Sequence, residues 1–174
     1  MPIPRKPIFE TERLILREFD LEDAAFILEL LNSPGWLAYI GDRGVKTLDE
    51  ARAYLTDGPM ASFEQHGFGL AMVVLRESGE GIGMCGLIKR DSLPDVDIGY
   101  ALLPKFMGQG YAFEIASATV DYAREQHGLR RLVAITDPKN AASVKLLGKL
   151  GMQLVQEVQL RPDDIMLYLF GMDL

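Results

Sequence analysis

The stretch from Val96 to Ala112 constrains the fold more than any other part of the chain. Strand-like residues Val96 to Leu103 end at Pro104 and lead into a loop with Gly108 and Gly110. From Gly108 to about Gln126 a helical pattern follows, with Ala112, Ile115, Ala116, Thr119 and Ala123 on one face. A strand that feeds a long helix through a glycine loop calls for a layered α/β arrangement, the helix lying on a sheet. The loop also has chemical potential. N–H groups in the first turn of a helix lack intrahelical partners and sit at the positive end of the dipole. Glycine lets an anion approach that backbone, because no Cβ intervenes. On this segment alone two readings stand: a phosphate cradle, or a plain tight strand-to-helix turn.

Side chains alternate across a strand. Val96, Ile98, Tyr100 and Leu102 therefore share one face, which reads as core. Asp97, Gly99, Ala101 and Leu103 share the other. The small residues at 99 and 101 leave room above that face, with Asp97 beside the space. A slot with a carboxylate at one end and a phosphate cradle at the other suits a long ligand with a reactive tip. The plainer alternative for Asp97 is a solvated strand residue.

The remaining pattern fills in the sheet. Pro2, Pro4 and Pro7 predict an extended, loose beginning. Arg13 to Phe19 reads as a strand, and Asp20 as the N-cap of a helix running to about Asn32, stopped by Ser33-Pro34-Gly35. Thr47-Leu48-Asp49-Glu50 is a capping box that opens a second helix. Phe68 to Arg76 and Ile82 to Lys89 read as a hairpin across Ser78-Gly79-Glu80-Gly81. Arg131 to Thr136 is a short buried strand, and Asn140 to Leu150 a helix stopped by Gly151. Gln153 to Leu160 and Ile165 to Met172 form a last strand pair. The order β-α-α-β-β-β-α-β-α-β-β predicts a mixed sheet covered by helices, within one domain spanning 1–174.

Composition narrows the class. Apolar residues make up 48% and the formal charge is −7. An acidic chain is poorly suited to non-specific grip on phosphate backbones. No apolar run approaches the ~20 residues of a membrane span. The lone Cys85 excludes an intrachain disulfide and a cysteine-based metal cluster, and suits a reducing cytoplasm. The reading is a cytoplasmic protein without nucleic-acid or membrane partners, monomeric or a homodimer.

Several patterns are decoys. Gly81-Ile82-Gly83-Met84-Cys85-Gly86 matches G-x-G-x-x-G, yet strand-like Leu87-Ile88 follows where a dinucleotide fingerprint needs a helix. His66 and His127 have no metal-ligand spacing, so no metal is expected. Cys85, inside a strand, reads as a small core residue.

Two blocks, in order and about 30 residues apart, resemble the GNAT acetyltransferase superfamily. Lys105-Phe106-Met107-Gly108-Gln109-Gly110 is similar to its cofactor motif Gln/Arg-x-x-Gly-x-Gly/Ala, with Lys in place of Gln/Arg. Phe106 to Glu114 resembles the branch that includes the ribosomal-protein N-terminal acetyltransferases, with Met107 where Trp is usual. Asn140 to Met152 resembles the family's Asn-x-x-Ser/Ala helix ending in Leu-Gly-Phe, and Thr11 to Arg17 the branch's first strand. The resemblance implies the acyl-CoA N-acyltransferase fold: a mixed, mostly antiparallel sheet splayed between the Val96 and Arg131 strands and flanked by helices. It implies acetyl-CoA as co-substrate, with pantetheine along the backbone of Ala101, Leu102 and Leu103. The pyrophosphate would rest on N–H groups of Phe106, Met107, Gly108, Gln109, Gly110, Tyr111 and Ala112. Asn140 would contact the pantetheine arm, and Ser143 would face the sulfur.

The implied activity is acetyl transfer to a primary amine by direct attack, the acceptor being a protein N-terminus or a small molecule. The alternative is a sensor that binds acetyl-CoA without turnover. Asp97 is the first candidate for the base and Glu157 the second. Many family members carry a Tyr seven residues after the Asn, but position 147 is Leu; in this branch a serine at the position of Ser143 can take the acid's role, the plainer alternative being an ordinary first-turn helix residue. Trp36 and Tyr39, in an aromatic segment between the first helices, are either a wall of the acceptor site or a lid over the core.

Overall fold

The structure is a computed structural model that describes residues 6–174. Its frame is an eight-stranded sheet in the order β1-β2-β3-β4-β5-β6-β8-β7. The strands are β1 (Pro7–Glu10), β2 (Leu14–Arg17), β3 (Leu70–Leu75), β4 (Gly81–Ile88), β5 (Asp97–Leu102), β6 (Arg131–Thr136), β7 (Gln153–Val158) and β8 (Leu167–Asp173). All pairings are antiparallel except β5 with β6. That parallel pair has a single register contact, Asp97 with Val133, and an N–H bond from Val133 to the Val96 carbonyl. Past this point the two strands part, as expected.

The helices are α1 (Ala24–Leu31), α2 (Pro34–Tyr39), α3 (Leu48–Leu55), α4 (Ala61–His66), α5 (Tyr111–His127) and α6 (Ala141–Lys149). Asp20 and Asp23 form a reciprocal capping box before α1, and Thr47 accepts the Glu50 N–H before α3. The α5 helix covers the sheet face that carries Cys85, Leu87 and Ile98: Cys85 Sγ lies 3.4 Å from Thr119 Oγ1, and Leu87 and Ile98 join Ala116, Val120 and Ala123 in one core cluster. Phe26 of α1 and Met72 come together on the other face, where each would crowd a side chain at Gly81.

Three elements go beyond the sequence expectations. Pro7 to Glu10 is an edge strand rather than a loose lead-in. Proline lacks an N–H, but an edge position does not demand one. Pro2 and Pro4 lie outside the described residues. The segment from Pro34 to Tyr39, expected as a loop, is helical: Ser33 is extended and Pro34 takes the first helical turn, where its fixed φ is favourable. Helix α4 continues α3 through a π-type turn, Thr56–Met60, with Pro59 inside it. Conversely, α5 starts at Tyr111 and not at Gly108. Gly108 (φ +75°) and Gly110 (φ +84°) are left-handed, so the helix cannot begin before them.

The glycines of the G-x-G-x-x-G match lie in β4 as strand residues. A Cβ at Gly83 would overlap the Ala101 carbonyl oxygen, and one at Gly86 the Gly69 carbonyl oxygen. They allow neighbouring backbones to come close and form no nucleotide loop.

Candidate active site

The parting of β5 from β6 opens a cavity of about 770 Å³. One wall carries Asp97, Gly99 and Tyr100 from β5, and another Ala134 to Thr136 from β6. Asn140, Ser143 and Leu147 reach it from α6, and Trp36, Tyr39 and Tyr54 from α2 and α3. Among the predicted site residues the structure thus brings together Asp97, Ser143, Asn140, Trp36 and Tyr39. Glu157 is exposed on β7 and is not among the cavity residues.

Asp97 is not a solvated strand residue: it is 1% exposed. Its Oδ2 accepts a 2.6 Å bond from Arg90 Nε, while its Oδ1 is buried with no partner among the described residues. Burial raises the Asp97 pKa above the usual carboxylate value, opposed by the charge and hydrogen bond of Arg90. A buried unpaired acceptor costs about 1–3 kcal/mol. Such an atom at the edge of a cavity suits a ligand that brings a donor. Arg90 is a residue that sequence reasoning missed, because nothing in its strand end marks it as a partner of Asp97.

Across the opening, Asn140 caps α6 by accepting the Ser143 N–H at 3.2 Å through Oδ1. That leaves its amide nitrogen unengaged among the described residues. Ser143 Oγ lies 2.9 Å from the Tyr100 hydroxyl. Tyr100 shares the Ile98 face, expected as core, and its ring does pack against both large core clusters. Its hydroxyl nevertheless reaches Ser143. Burial pushes that hydroxyl up to about 12, so the phenol stays protonated at neutral pH. Leu147 is 1% exposed and packs in the α5–α6 core.

The backbone of β5 also matters. Antiparallel pairing aims alternate residues at alternate neighbours. The Leu103 N–H donates to the Ile82 carbonyl, so Leu103, with Ala101 two residues before it, is turned toward β4. Tyr100 and Leu102 present their backbone groups to the opening, where no register pair with β6 exists.

The glycine loop lies at the end of β5. Phe106 and Met107 already donate their N–H groups, to the carbonyls of Leu103 and Pro104. From Gly108 to Phe113 no N–H has a backbone or side-chain acceptor among the described residues. The free run therefore starts at Gly108, two residues later than expected, and continues through Gln109, Gly110, Tyr111 and Ala112. A Cβ at Gly108 would meet nothing within 4 Å, so the loop is not plugged by neighbours there. Arg13 reaches in from the β1–β2 turn: its Nη1 donates to the Gln109 carbonyl at 3.0 Å, its Nε bonds Glu114 at 2.7 Å, and its guanidinium lies over the Tyr111 ring. Partial burial pushes Glu114 up, but bonds from Thr11 and Arg13 outweigh it and hold the carboxyl below its usual range. Open N–H groups at a helix start, two left-handed glycines and an adjacent cleft fit a diphosphate followed by an extended arm.

Comparison with known proteins agrees with this geometry. A family model described as an acetyltransferase (GNAT) domain matches residues 13–153. The uncharacterized N-acetyltransferase p20 of Bacillus licheniformis is 31% identical over 82% of this chain and 80% of its own length. The crystal structure of an acetyltransferase from Agrobacterium tumefaciens superposes with a TM-score of 0.79 at 27% identity, covering 99% of this chain and 95% of that one. A ribosomal L7/L12 α-N-protein acetyltransferase in complex with coenzyme A shares the fold at 19% identity, with a TM-score of 0.79 over 97% and 98% of the two chains. The splayed sheet, the open glycine loop and these matches together identify the chain as a member of the GNAT acetyltransferase family, an acetyl-CoA-dependent N-acetyltransferase.

Proposed function

We propose that this chain transfers the acetyl group of acetyl-CoA to a primary amine by direct attack, the acceptor being a peptide α-amine or a small-molecule amine. The observation that carries this reading is the unpartnered Oδ1 of Asp97, buried at the edge of the cavity that also holds Ser143. Acetyl-CoA, when bound, supplies an activated thioester carbonyl. The N–H groups from Gly108 to Ala112 hold its diphosphate. Backbone of Leu102 and the Asn140 amide hold the extended arm.

An incoming ammonium finds its acceptor at Asp97 Oδ1. Burial raises the basicity of that carboxylate, and the charge and hydrogen bond of Arg90 on Oδ2 oppose the rise. Two protons leave through Asp97 to water, one before the amine attacks and one as the amide forms. Ser143 Oγ–H donates toward the sulfur that departs. A thiol with a pKa near ~8.5 needs no stronger acid, so Leu147 in place of a tyrosine is no obstacle. Trp36 and Tyr39 form the acceptor side of the cavity. Proteins of the same fold include a ribosomal L7/L12 α-N-protein acetyltransferase and a spermidine N-acetyltransferase, so both acceptor classes stay within the proposal. On this reading the chain acts as one domain in the cytoplasm, as a monomer or homodimer, with neither nucleic acid nor membrane as partner.

Thiol release from acetyl-CoA, followed over a panel of peptides, amino acids, polyamines and aminoglycosides, tests the proposal. Turnover on at least one primary amine is expected. Thermal stabilisation by acetyl-CoA with no turnover on any amine would overturn it in favour of a sensor.

A further inference from the structure

The closest polar contact between β5 and α6 joins two hydroxyls. We propose that Tyr100 is the positioning residue for Ser143: its phenol O–H donates to Ser143 Oγ and so directs the serine's own proton toward the departing sulfur. The inference rests on the role assigned to Ser143 above.

The two oxygens are 2.9 Å apart, and both residues line the cavity. Each hydroxyl has one proton to give and lone pairs to accept. A phenol is much more acidic than an aliphatic alcohol, so in such a pair the phenol is the better donor. A serine in the first turn of a helix otherwise tends to bond nearby backbone groups, which would turn its proton away from the cavity. Ser143 has its main-chain N–H fixed by Asn140 Oδ1, so its Cβ is anchored and only the hydroxyl rotor is left to set. The Tyr100 ring packs against both large core clusters, which makes its hydroxyl a rigid reference point. Its proton is retained through the neutral range, since burial pushes the phenol up to about 12.

The chemistry balances without a charged tyrosine. The thioester C–S bond breaks with its electron pair going to sulfur. Ser143 Oγ–H stabilises the thiolate by a hydrogen bond, and the thiolate takes a proton from water. The ammonium gives up two protons, one before attack and one as the amide forms, and both leave through Asp97 to water; the thiolate takes one back, so one proton is released to solvent in all.

The test has two arms. In the protein without acetyl-CoA, a fluorinated tyrosine placed at 100 is titrated by 19F NMR. The Ser143→Ala background should raise its pKa, because the serine is lost as a donor to the phenolate. An unmoved titration would mean that no hydroxyl pair exists and would overturn the proposal. In the second arm, Tyr100→Phe should lower kcat about 5- to 20-fold. The KM for acetyl-CoA should be unchanged, and the loss should vanish when Ser143 is already Ala. An equal loss in both backgrounds would mean that the phenol acts on packing alone, and would overturn the proposal. If Tyr100→Phe does not fold, the fluorinated tyrosine takes its place: kcat should gain an alkaline limb at the pKa seen by NMR, and its absence counts against the proposal. Full activity of Ser143→Ala would instead sink the role of Ser143 itself, an outcome distinct from a failure at Tyr100.

Discussion

Asp97→Asn is the most informative substitution. Asparagine keeps the size and shape of the side chain but not its charge or basicity. Arg90 loses its partner, yet its side chain is 30% exposed and can turn to water, so no buried cation is stranded. The loss should therefore fall on chemistry. A positioned base contributes ~10²–10⁴-fold. The acceptor decides where in that range the value lies. Freeing an α-amine of pKa about 8 costs under roughly 1 kcal/mol near pH 7.5, whereas a lysine-type amine of about 10.4 costs ~4 kcal/mol. On an α-amine, kcat should drop about 100-fold near pH 7, and the deficit should shrink toward pH 9 as the amine loses its proton unaided. On a lysine-type amine the deficit should persist. The wild-type kcat should also show an acid limb above the usual carboxylate range, since burial raises the Asp97 pKa. The stability sign follows from the same shift. A carboxyl with a raised folded pKa favours the native state while protonated, fully so below the unfolded value. That contribution is lost as pH rises through the folded value. Relative to wild type, Asp97→Asn should thus gain stability as pH rises through that window, read as thermal midpoints. Steady-state thiol release across pH measures the rate. Wild-type kcat with the acid limb retained would refute Asp97 as the base.

Three other substitutions separate binding from folding. Gly110→Glu should abolish acetyl-CoA binding in calorimetry, because it sets a carboxylate and a side chain at a left-handed position beside the free N–H groups; unchanged affinity would remove the loop from the binding site. Gly83→Ala should destabilise by about 3 kcal/mol or more in denaturant unfolding, since its Cβ would overlap the Ala101 carbonyl across the β4–β5 ladder; a loss below about 1 kcal/mol would mean that β5 moves aside easily. Asp23→Ala should cost about 3–5 kcal/mol, because it removes both 2.9 Å bonds to a guanidinium that is itself buried; a loss near zero in the same assay would show that Arg17 finds water.

Much of this was legible in the sequence, for reasons that are local. The caps at Asp20, Thr47 and Asn140, the β3–β4 hairpin and the glycine loop are set by neighbours within a few residues. Asp97 was also legible, because its own strand supplies the small residues on its face. Tyr100 was not. Alternation assigned it to the core, correctly for its ring, but the partner of its hydroxyl lies 43 residues on, and only the docking of α6 brings it near. Arg90 was hidden likewise, seven residues from Asp97 across a turn.

The miss at Tyr100 has a geometric source. Asp97 and Tyr100 differ by an odd number of positions, so they project to opposite faces of the sheet. In an unbroken sheet the backbone layer would separate them, and no single reaction could use both. Here the β5–β6 ladder stops after Asp97, and both residues line one cavity with Ser143. The break in one parallel pair thus joins a buried carboxylate on one face to a hydroxyl pair on the other. Any substitution that closed the strands past Val133 would part the two groups while leaving each in place. That predicts loss of turnover with the Tyr100–Ser143 contact intact.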